Sequence, residues 1–588
     1  MRLPVPQMEE RFTDPFAACI QIPAVLSTHV VLRWPSSMPC SLVSYGKILG
    51  ASWTMALVLA VAGMCLYTRH NDFDFYLHPD ESGKVKQVLK NKRNFNHPLM
   101  LITVSRWIHK LDGGKRDLAR IAIAGRTASA LFSTGAVVAL ALLGRRLGRA
   151  SGFRGAEIAA GWAVGVFLLM SPLMFELAHY MKEDPSLALG VALVMLSLHI
   201  FWEKRDLHSL LLAGAAMGTA ASGKYMGWLL LPFAVGIVFA APTPNLSWLR
   251  RVGFFLLAGA GVWAIFNYSI FKNPAAALAS LNRETQGAVG GHRGVTQDVP
   301  HDHYVQLFLG TPVALRFLCG TFIATLLVRR RSITPPEWLL VVFPVVLFLL
   351  MSFSPKSSTR YYLPVDMLVY FSAGVGAVWS AGWIREWTSK FGRRDGQYVG
   401  AIVTVVLIAW VVWSAQPGLA RTFTSFAHDD RDDLKTWITE SLPLTAVIAQ
   451  DDRINLPTAD RWEYEGKPLL KQRILREEFV ADLGTVPELR ALGVTHVIVA
   501  TPTFLRFELF RPLPAAAAQF EMRKLFYQSL GAVRPTATLP GVVKVWELPT
   551  GGNIYLHPGM TVYDISAVPP AASPPPVKQE AVSSGLDQ

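Results

Sequence analysis

The sequence contains little charge for its length. Of its 588 residues only 17% are charged and 51% are hydrophobic, whereas about a quarter of the residues of a soluble chain are charged. The shortage is concentrated in apolar runs such as 53–66, 338–351 and 399–413. With their flanks, these runs approach the roughly 20 residues that cross a bilayer. This composition excludes an ordinary soluble domain and predicts a polytopic α-helical membrane protein, in agreement with a mean hydropathy of +0.32.

Cysteine is equally scarce, and the four residues show neither paired nor metal-type spacing. They are Cys19, Cys40, Cys65 and Cys319. We therefore expect no structural disulfide and no cysteine-ligated metal. No cleavable signal peptide is evident, and no internal repeat is visible. Residues 1–47 are treated as an N-terminal extension, either a further membrane-associated piece or the product of a wrongly chosen start codon.

Basic residues exceed acidic ones, giving a formal net charge of +14. Nucleic acid is one explanation, but Lys and Arg also collect in the cytoplasmic loops of membrane proteins. Apolar runs predict about eleven transmembrane helices. They lie near 48–67, 118–143, 157–178, 185–202, 209–222, 225–241, 253–271, 304–328, 336–352, 361–383 and 399–415. If the spans alternate, the basic connections fall on one side, which we assign to the cytoplasm, and the chain after residue 417 lies outside.

The predicted organisation has four parts. Residues 48–416 form the transmembrane domain, with a first outer loop at 68–117 that carries two amphipathic helices, 82–89 and 99–111. Residues 417–565 form a small extracytoplasmic α/β domain, and 566–588 a disordered Pro-rich tail. The α/β domain is predicted from helical spacing at 432–442 and 515–530 and from four strand-like segments. These strands are predicted at 446–450, 495–500, 542–548 and 560–565.

Polar clusters occur at the predicted outer ends of the spans. In the first loop Asp80 and Glu81 follow a histidine and a proline, and His97 lies further along. In the second loop Glu183 and Asp184 follow a lysine. The alternatives are ordinary ones: Asp80 as an N-cap ahead of 82–89, and a hairpin charged for solubility. Because both clusters emerge on one face, we expect their carboxylates to share a site.

Cations form a second group of candidates. Lys356 and Arg360 lie at an outer span end, where they run against the inside-positive pattern and suit a lipid phosphate. The alternative for them is a solvated loop. Lys224 lies at the tip of a predicted hairpin inside an apolar run, where a lysine is costly unless it is paired; its alternative is a snorkelling anchor. The Gly-rich outer loop 273–303 contains His292 and either closes over substrate or is a flexible connector.

The order and sidedness of these clusters resemble the GT-C glycosyltransferases, in the branch that contains protein O-mannosyltransferases and lipid A aminoarabinose transferases. The resemblance covers about residues 48–565. It is carried by Asp80-Glu81, Asn96-His97-Pro98, Glu183-Asp184, the small-residue helix 214–225 with its Lys-Tyr end, and Arg360-Tyr361-Tyr362-Leu363-Pro364, which is similar to an Arg-Tyr-x-x-Pro stretch.

The resemblance implies a membrane glycosyltransferase that takes a sugar from a polyprenyl-phosphate carrier, with Asp80 as catalytic base, Glu81 beside it, and Asp184 as the further catalytic candidate. A carboxylate suits an attacking hydroxyl because it accepts the proton as the new bond forms. Fixed cations suit the leaving phosphate. The expected substrate-binding residues are His97, Glu183, Lys224, Lys356, Arg360, Tyr361 and His292. The expected partners are the lipid-linked donor, membrane lipids and an acceptor glycan, lipid or protein, with no nucleic acid.

No cofactor is expected beyond the lipid-phosphate sugar, and a divalent metal is not required. Asp72 and Asp74 form a paired-aspartate motif that holds metal and nucleotide sugar in another glycosyltransferase class. Here no nucleotide-binding domain surrounds them, so we attribute the spacing to chance. Two other functions compete: a transporter or flippase of lipid-linked sugar, which predicts mid-membrane charges and repeat symmetry, and a non-catalytic scaffold that presents the α/β domain. The expected location is the inner (plasma) membrane, with the site facing outward.

Overall fold

The computed structural model describes most of the chain after residue 51. The described residues are 52–71, 78–91, 93–114, 117–242, 246–290, 295–297, 300–354, 358–390, 396–458, 468–534, 538–551 and 553–572. The predictions for residues 1–47, for Asp72 and Asp74, and for the tail beyond residue 572 lie outside these ranges.

The membrane part is built from α-helices joined by short connections. In chain order they are α1 (Ser52–Tyr67), α2 (Pro79–Lys90), α3 (Met100–Leu111), α4 (Leu118–Gly148), α5 (Ala156–Leu169), α6 (Pro172–Ala178), α7 (Asp184–Lys204), α8 (Leu207–Gly223), α9 (Leu231–Ala240), α10 (Trp248–Lys272), α11 (Pro274–Gly290), α12 (Pro300–Gly310), α13 (Val313–Val328), α14 (Pro335–Ser352), α15 (Leu363–Ser389) and α16 (Gly396–Ser425). Each predicted apolar segment lies on helix, and both predicted first-loop helices are present as α2 and α3.

The number of spans is lower than the sequence predicts. Within the described residues, six helices are long and apolar enough to cross a membrane, and eight if two bent pairs each count as one span. The bent pairs are α5 with α6, at 63°, and α12 with α13, at 102°. Pro172 and Pro312 stand at the two bends, where a proline cannot continue the preceding helix. A protein that crosses the membrane several times is confirmed, whereas the count of about eleven is not.

Close packing of α7 against α8 places the functional loops. A Cβ atom on Gly223 would lie 2.7 Å from the Leu187 nitrogen, closer than real side chains approach, so only glycine lets α8 end against the start of α7. The next residue, Lys224, leaves the helix in an extended conformation with φ −157° and ψ 151°. A 3₁₀ turn over Tyr225–Leu230 then leads into α9. The predicted break at Lys224 is therefore confirmed.

The first loop is fixed onto the membrane helices through a kink in α10. Asn267 has non-helical dihedrals, φ −108° and ψ 19°, and its buried side chain connects two other elements, besides donating to the Trp263 carbonyl of its own helix at 2.9 Å. Its Oδ1 accepts the Leu99 N–H at 2.8 Å, and its Nδ2 donates to Ser222 Oγ at 3.0 Å. Thr103 Oγ1 adds a bond to the Phe266 carbonyl at 3.1 Å. The start of α3 is thereby tied to the end of α8.

The C-terminal part is a mixed five-stranded sheet with helices around it. Its strands are β2 (Val447–Asp451), β3 (Arg473–Glu477), β4 (His496–Ala500), β6 (Val543–Thr550) and β7 (Pro558–Asp564), in the order β3-β2-β4-β7-β6. Its helices are α17 (Asp430–Ser441), α18 (Val486–Ala491), α19 (Thr501–Phe504), α20 (Arg506–Leu509) and α21 (Ala517–Ser529). Strands β3, β2 and β4 run parallel, and β7 and β6 are antiparallel additions. The four predicted strands and two predicted helices are confirmed, and β3 was missed.

A second, two-stranded sheet joins the long loop after α11 to the C-terminal part. Strand β1 (Val295–Gln297) pairs antiparallel with β5 (Phe510–Pro512). In register, Val295 faces Pro512 and Gln297 faces Phe510. The loop predicted to close over substrate is thus held by backbone pairing at this point.

Candidate active site

The start of α2 sets the direction of the first-loop carboxylates. His78 is the N-cap: its Nδ1 accepts the Asp80 N–H at 3.1 Å, while Glu81 Oε2 accepts the His78 N–H at 3.5 Å. This arrangement is a capping box in which a histidine takes the usual place of Ser or Thr. Asp80 therefore lies in the first turn and is not the N-cap, so the alternative that Asp80 is an N-cap is wrong.

Asp80 is surrounded by cations but remains open on one side. Its Oδ2 forms an ion pair with Lys182 and lies 3.3 Å from Arg360 Nη1. The side chain of Lys182 is fully buried, whereas 43% of that of Asp80 is exposed. Burial alone raises the pKa of the Asp80 carboxyl, but Lys182, His78, Lys84 and Arg360 outweigh it and hold this pKa well below its usual range. Asp80 is accordingly an ionised carboxylate that can still be approached.

Glu81 has a different environment, although it is the next residue. It is completely buried, and its carboxylate makes a forked ion pair with Arg126, at 3.1 Å to Nε and 3.0 Å to Nη2. The Met181 N–H donates to Glu81 Oε1 at 2.8 Å, and Arg126 Nη1 donates to the Asn71 carbonyl at 2.9 Å. Both carboxylate oxygens are engaged, so Glu81 joins α2, α4 and the second loop.

The second-loop carboxylates are both buried and both paired with lysine. Glu183 Oε2 lies 2.8 Å from Lys84 Nζ, and Lys84 also donates to the Met181 carbonyl at 2.9 Å. Burial acts to raise the pKa of Glu183, but Lys84, His97 and Lys182 lower it further than burial raises it. Asp184 Oδ1 lies 2.5 Å from Lys224 Nζ. These two pairs hold the second loop against α2 and against the end of α8.

Arg360 and Tyr361 enter the site from a 3₁₀ turn, Thr359–Tyr362, ahead of α15. The Arg360 guanidinium carbon lies 5.4 Å from the centre of the Tyr361 ring, and Lys224 Nζ lies 4.5 Å from the same centre. Both distances are within the range of cation–π attraction. Tyr361 thus has two cations close to its ring, one from the α8 break and one from its own turn.

A polar cavity of about 550 Å³ lies between these elements. Its wall contains Asp80, Lys84, His97, Glu183 and Arg360. The C-terminal part contributes a further section, the outer wall, which consists of Arg453, Arg506 and Tyr555. The Tyr555 ring lies 4.6 Å from that of His78, centre to centre. The cavity therefore has one wall of membrane-part residues and one wall from the C-terminal part.

An apolar slot of about 330 Å³ adjoins the polar cavity. Its exposed lining surface is mainly apolar and includes Leu229, Leu347 and Met351, and Lys224 also lines it. His97, Glu284 and Tyr361 line both spaces. A long apolar chain with a charged end fits this combination, because its tail avoids water while its head meets the cations.

Most of the predicted site residues come together here. Asp80, His97, Glu183, Arg360 and Tyr361 line the polar cavity, and Lys224 lines the slot. Glu81 and Asp184 lie directly behind, paired with Arg126 and Lys224. Lys356 and the side chain of His292 fall outside the described residues, so their assignments stay predictions.

Several residues of the site were missed by sequence reasoning. Arg126 could have been found, because a charged residue within an apolar span is costly unless it has a partner. Lys182 stands in the second-loop cluster and Lys84 among the basic residues of the first loop, but neither was singled out. Arg453 and Arg506 carry no comparable signal, since arginines in polar loops are usually only solvated.

Among the described residues, one group brings His and carboxylate atoms together as a metal site would: His428, Asp430 and Asp433, with ligand atoms within 4.8 Å of one another. It lies at the start of α17, away from the polar cavity lining. His428 Nε2 is 2.8 Å from Asp433 Oδ2, and Asp430 Oδ1 is 2.6 Å from His557 Nδ1. Each member of this group thus makes a hydrogen bond or ion pair with one of its side-chain atoms.

Comparison with solved structures gives remote similarities. ArnT from Cupriavidus metallidurans bound to undecaprenyl phosphate is 14% identical with a TM-score of 0.48, over 89% of this chain and 100% of that one. AglB from Archaeoglobus fulgidus, in complex with an inhibitory peptide and a dolichol-phosphate, is 11% identical with a TM-score of 0.45, over 80% and 72%. The S. cerevisiae Pmt1-Pmt2 complex bound to the sugar donor is 16% identical with a TM-score of 0.31, over 41% and 36%. No curated protein sequence matches the chain.

A family model matches part of the chain. Residues 96–271 match the family described as dolichyl-phosphate-mannose-protein mannosyltransferase. The match runs from the first-loop Asn96 to near the end of α10, and it includes His97, Glu183, Asp184 and Lys224. The match agrees with the resemblance and with the glycosyltransferase class predicted from the sequence, over the part of the chain that contains these residues.

Proposed function

We infer that the protein moves a sugar from a polyprenyl-phosphate carrier to an acceptor on the outer face of the membrane, with Asp80 as general base. The observation that carries this proposal is the junction of the two spaces. An apolar slot that fits a lipid chain opens, at Lys224 and Tyr361, beside a polar cavity containing an approachable carboxylate.

The donor would place its isoprenoid chain in the slot and its phosphate at the junction. Lys224 and Arg360 both lie close to the Tyr361 ring there, and the predicted Lys356 is close to Arg360 in sequence. A cation on a lysine and a fork on an arginine bind a phosphate in complementary ways. The same cations stabilise the negative charge that grows on the phosphate as it leaves. The sugar would then project into the polar cavity.

The acceptor hydroxyl would attack the anomeric carbon of that sugar. As the new carbon–oxygen bond forms, the bond from the anomeric carbon to the phosphate oxygen breaks, and the polyprenyl phosphate leaves with the electron pair. Asp80 takes the hydroxyl proton. In the resting site Arg360 weakens Asp80 as a base, because a neighbouring cation stabilises the ionised carboxylate. A phosphate that draws Arg360 toward itself would therefore make Asp80 more basic once the donor is bound.

The surrounding ion pairs would keep this geometry. Glu81 is held by Arg126 directly behind Asp80, and Glu183 is held by Lys84 on the cavity wall. We assign Asp184 to positioning Lys224 in the same way. Residues 417–565, as an extracytoplasmic domain, would cover the cavity from outside, so both substrates would react in a partly dry space.

Asp80→Asn tests the assignment because the change is nearly isosteric and removes only the basic oxygen. With a polyprenyl-phosphate sugar as donor, turnover of the purified full-length protein should fall by about 10²–10⁴-fold. Donor binding should stay close to that of the wild type. Near-normal turnover of Asp80→Asn would end the proposal for this residue.

A further inference from the structure

Two cations meet one oxygen of the Asp80 carboxylate. Lys182 Nζ and Arg360 Nη1 both donate to Oδ2. Among the described residues nothing donates a hydrogen bond to Oδ1. The Asp80 side chain is 43% exposed and lines the polar cavity. Asp80 therefore has one oxygen that is already occupied and one, Oδ1, that a substrate hydroxyl can reach.

The two cations on Oδ2 differ in their freedom to move. The Arg360 side chain is 24% exposed, and the proposed function gives it a second partner, the donor phosphate. The Lys182 side chain is completely buried, and within the described part of the chain its Nζ donates to Asp80 alone. Arg360 can therefore leave Oδ2 when a phosphate arrives, whereas Lys182 has no other acceptor to which it can turn.

The backbone around Lys182 is fixed as well. The Lys182 N–H donates to the Tyr180 carbonyl at 2.7 Å, and Ser129 Oγ on α4 lies 3.3 Å from both the nitrogen and the carbonyl oxygen of Lys182. A Cβ atom on Gly125 of α4 would overlap Met181 Sδ, so only glycine lets α4 approach the second loop this closely. Lys182 is thus a cation in a fixed position beside Asp80.

The charge of Lys182 depends on the charge of Asp80. Burial, together with Lys84 and Arg360, lowers the pKa of the Lys182 ammonium to about 7, and Asp80 is the stronger of the two carboxylates that oppose this change. A buried charge without a partner is strongly unfavourable. When Asp80 takes up a proton, Lys182 loses its partner, so the protonated form of Asp80 is a poor resting place for that proton.

We propose that Lys182 is a positioning residue that makes Asp80 a one-sided base: it holds Oδ2, leaves Oδ1 to take the proton of the acceptor hydroxyl, and makes Asp80 pass this proton on. This rests on the proposed function, since it takes Asp80 as the general base. Lys182 itself touches neither substrate.

The proton then has a defined route. It moves from the acceptor hydroxyl to Asp80 Oδ1 as the new carbon–oxygen bond forms, and the polyprenyl phosphate leaves with the electron pair of the broken bond. The leaving group is now a phosphomonoester with one more negative charge and a second pKa of about 6. Arg360 lies at Asp80 and is the proposed phosphate ligand, so the phosphate is close enough to receive the proton from Oδ1. Asp80 returns to its ionised form without a further base.

Infrared spectroscopy of the full-length protein in dodecyl maltoside tests this role without any substrate. A protonated carboxyl has its own C=O stretching band, and the band that is missing in Asp80→Asn belongs to Asp80. In the wild type this band should stay absent from neutral pH down to about pH 4, the ordinary pKa of aspartate. In Lys182→Met it should appear at a pH higher by about 1–3 units, the effect of a neighbouring charge.

The other groups that face Asp80 do not interfere with this measurement. They are His78 at the cap of α2, Lys84 on α2, Arg360 on its 3₁₀ turn and, from the C-terminal part, Tyr555. None of these side chains is a carboxylic acid, so their titration adds no band of this kind.

Lys90→Met is the matched control, because Lys90 is an exposed lysine at the end of the same helix, α2, and does not line the polar cavity. It should leave the Asp80 band at the pH of the wild type. Lys182→Gln is a second neutral variant, smaller and polar, and should shift the band in the same direction as Lys182→Met. An Asp80 band that appears at the pH of the wild type in both Lys182 variants overturns the inference.

The pH profile of turnover gives the functional readout. With a polyprenyl-phosphate sugar as donor, the acid side of the kcat/KM profile should move upward in Lys182→Met by the same shift as the infrared band, while undecaprenyl phosphate binding stays as in the wild type. A merely structural role would lower kcat/KM equally at every pH, and that result contradicts the inference. Near-normal turnover of Asp80→Asn contradicts the proposed function instead, and the infrared shift does not depend on it.

Discussion

The Lys224 ammonium lies 2.5 Å from Asp184 Oδ1, although one residue ends α8 and the other begins α7. The pair is buried, with 9% of the Lys224 side chain and 3% of that of Asp184 exposed. Asp184 therefore holds Lys224 where its Nζ lies 4.5 Å from the centre of the Tyr361 ring. The lysine is both a structural partner of α7 and the cation closest to the apolar slot. The alternative explanation, that Lys224 is an anchor whose ammonium reaches out to the membrane surface, does not fit a side chain that is only 9% exposed.

Asp184→Asn should separate these two roles of Lys224. The amide can still accept a hydrogen bond, but it no longer neutralises the ammonium, so the affinity for polyprenyl phosphate should stay equal or rise. Turnover should fall because Lys224 is less well fixed. The loss should be smaller than that expected when a general base is removed, which is about 10²–10⁴-fold. Donor binding and turnover measured on the same preparation check this. A loss equal to that of Asp80→Asn would make Asp184 part of proton transfer.

Arg360→Lys should weaken donor binding while the charge is retained. A lysine has no planar fork, so the apparent affinity for the polyprenyl phosphate should fall by about tenfold, the value of one lost charge-assisted hydrogen bond. Equilibrium binding of undecaprenyl phosphate measures this. The control is Arg421→Lys, at an exposed position of α16 that lines neither space. If Arg360→Ala binds the donor normally, Arg360 does not belong to the donor site.

Glu81→Gln should destabilise the protein because it leaves Arg126 charged and buried. Removing one partner of a buried ion pair typically costs about 3–5 kcal/mol. The apparent melting temperature in detergent should drop clearly and should recover in part in Glu81→Gln/Arg126→Met. Glu547→Gln is the control, since Glu547 and its partner Lys544 are each 52% exposed and surface pairs contribute about 0–1 kcal/mol.

The double variant also decides between two roles of Glu81. If Glu81 only positions α2, the restored variant should keep substantial turnover. If Glu81 takes part in proton transfer, the variant should be folded and inactive. Turnover per folded molecule, with the folded fraction measured by size-exclusion chromatography, distinguishes these results.

The proposed orientation predicts that the chain after α16 is outside the cytoplasm. Alkaline phosphatase is active only when exported, so a fusion after residue 420 should be active. A fusion after Arg331, in a basic connection assigned to the cytoplasm, should be inactive although expressed at the same level. The opposite pattern would place the site on the cytoplasmic side and remove the basis for an outward-facing acceptor.

The sequence predicts the helices of the membrane part well because each is a long apolar run, and it predicts strands β2, β4, β6 and β7 from short apolar patterns. It overestimates the spans for a local reason. Apolar segments such as Tyr225–Ala240 are too short or too bent to count as crossings. The hydropathy of a segment does not show how much of it remains α-helical after a 3₁₀ turn, and it does not show the angle at which two helices meet. Strand β3, Arg473–Glu477, was missed because this edge strand is mostly charged.

The site residues could be predicted where a charged side chain stands at a position that is energetically unfavourable for it. Lys224 within an apolar run and the carboxylates at span ends are costly placements, so each indicates a partner or a ligand. The capping role of His78 was not predictable, because histidine is not a usual N-cap residue. Arg453 and Arg506 were not predictable either, since only the fold of the sheet brings their loops to Asp80. The sequence identifies residues whose position is energetically costly, but it does not identify the neighbours that loops distant in sequence place beside them.

The pairing of β1 with β5 has a consequence for how such proteins can diversify. Three residues of a membrane-side loop, Val295–Gln297, are in register with Phe510–Pro512 of the C-terminal part. A lineage that exchanged its C-terminal part for another would leave β1 without a partner, and unpaired strand edges promote association between chains. Recombination between relatives should therefore succeed only when this loop and the C-terminal part are inherited together, and insertions in one should be matched by changes in the other.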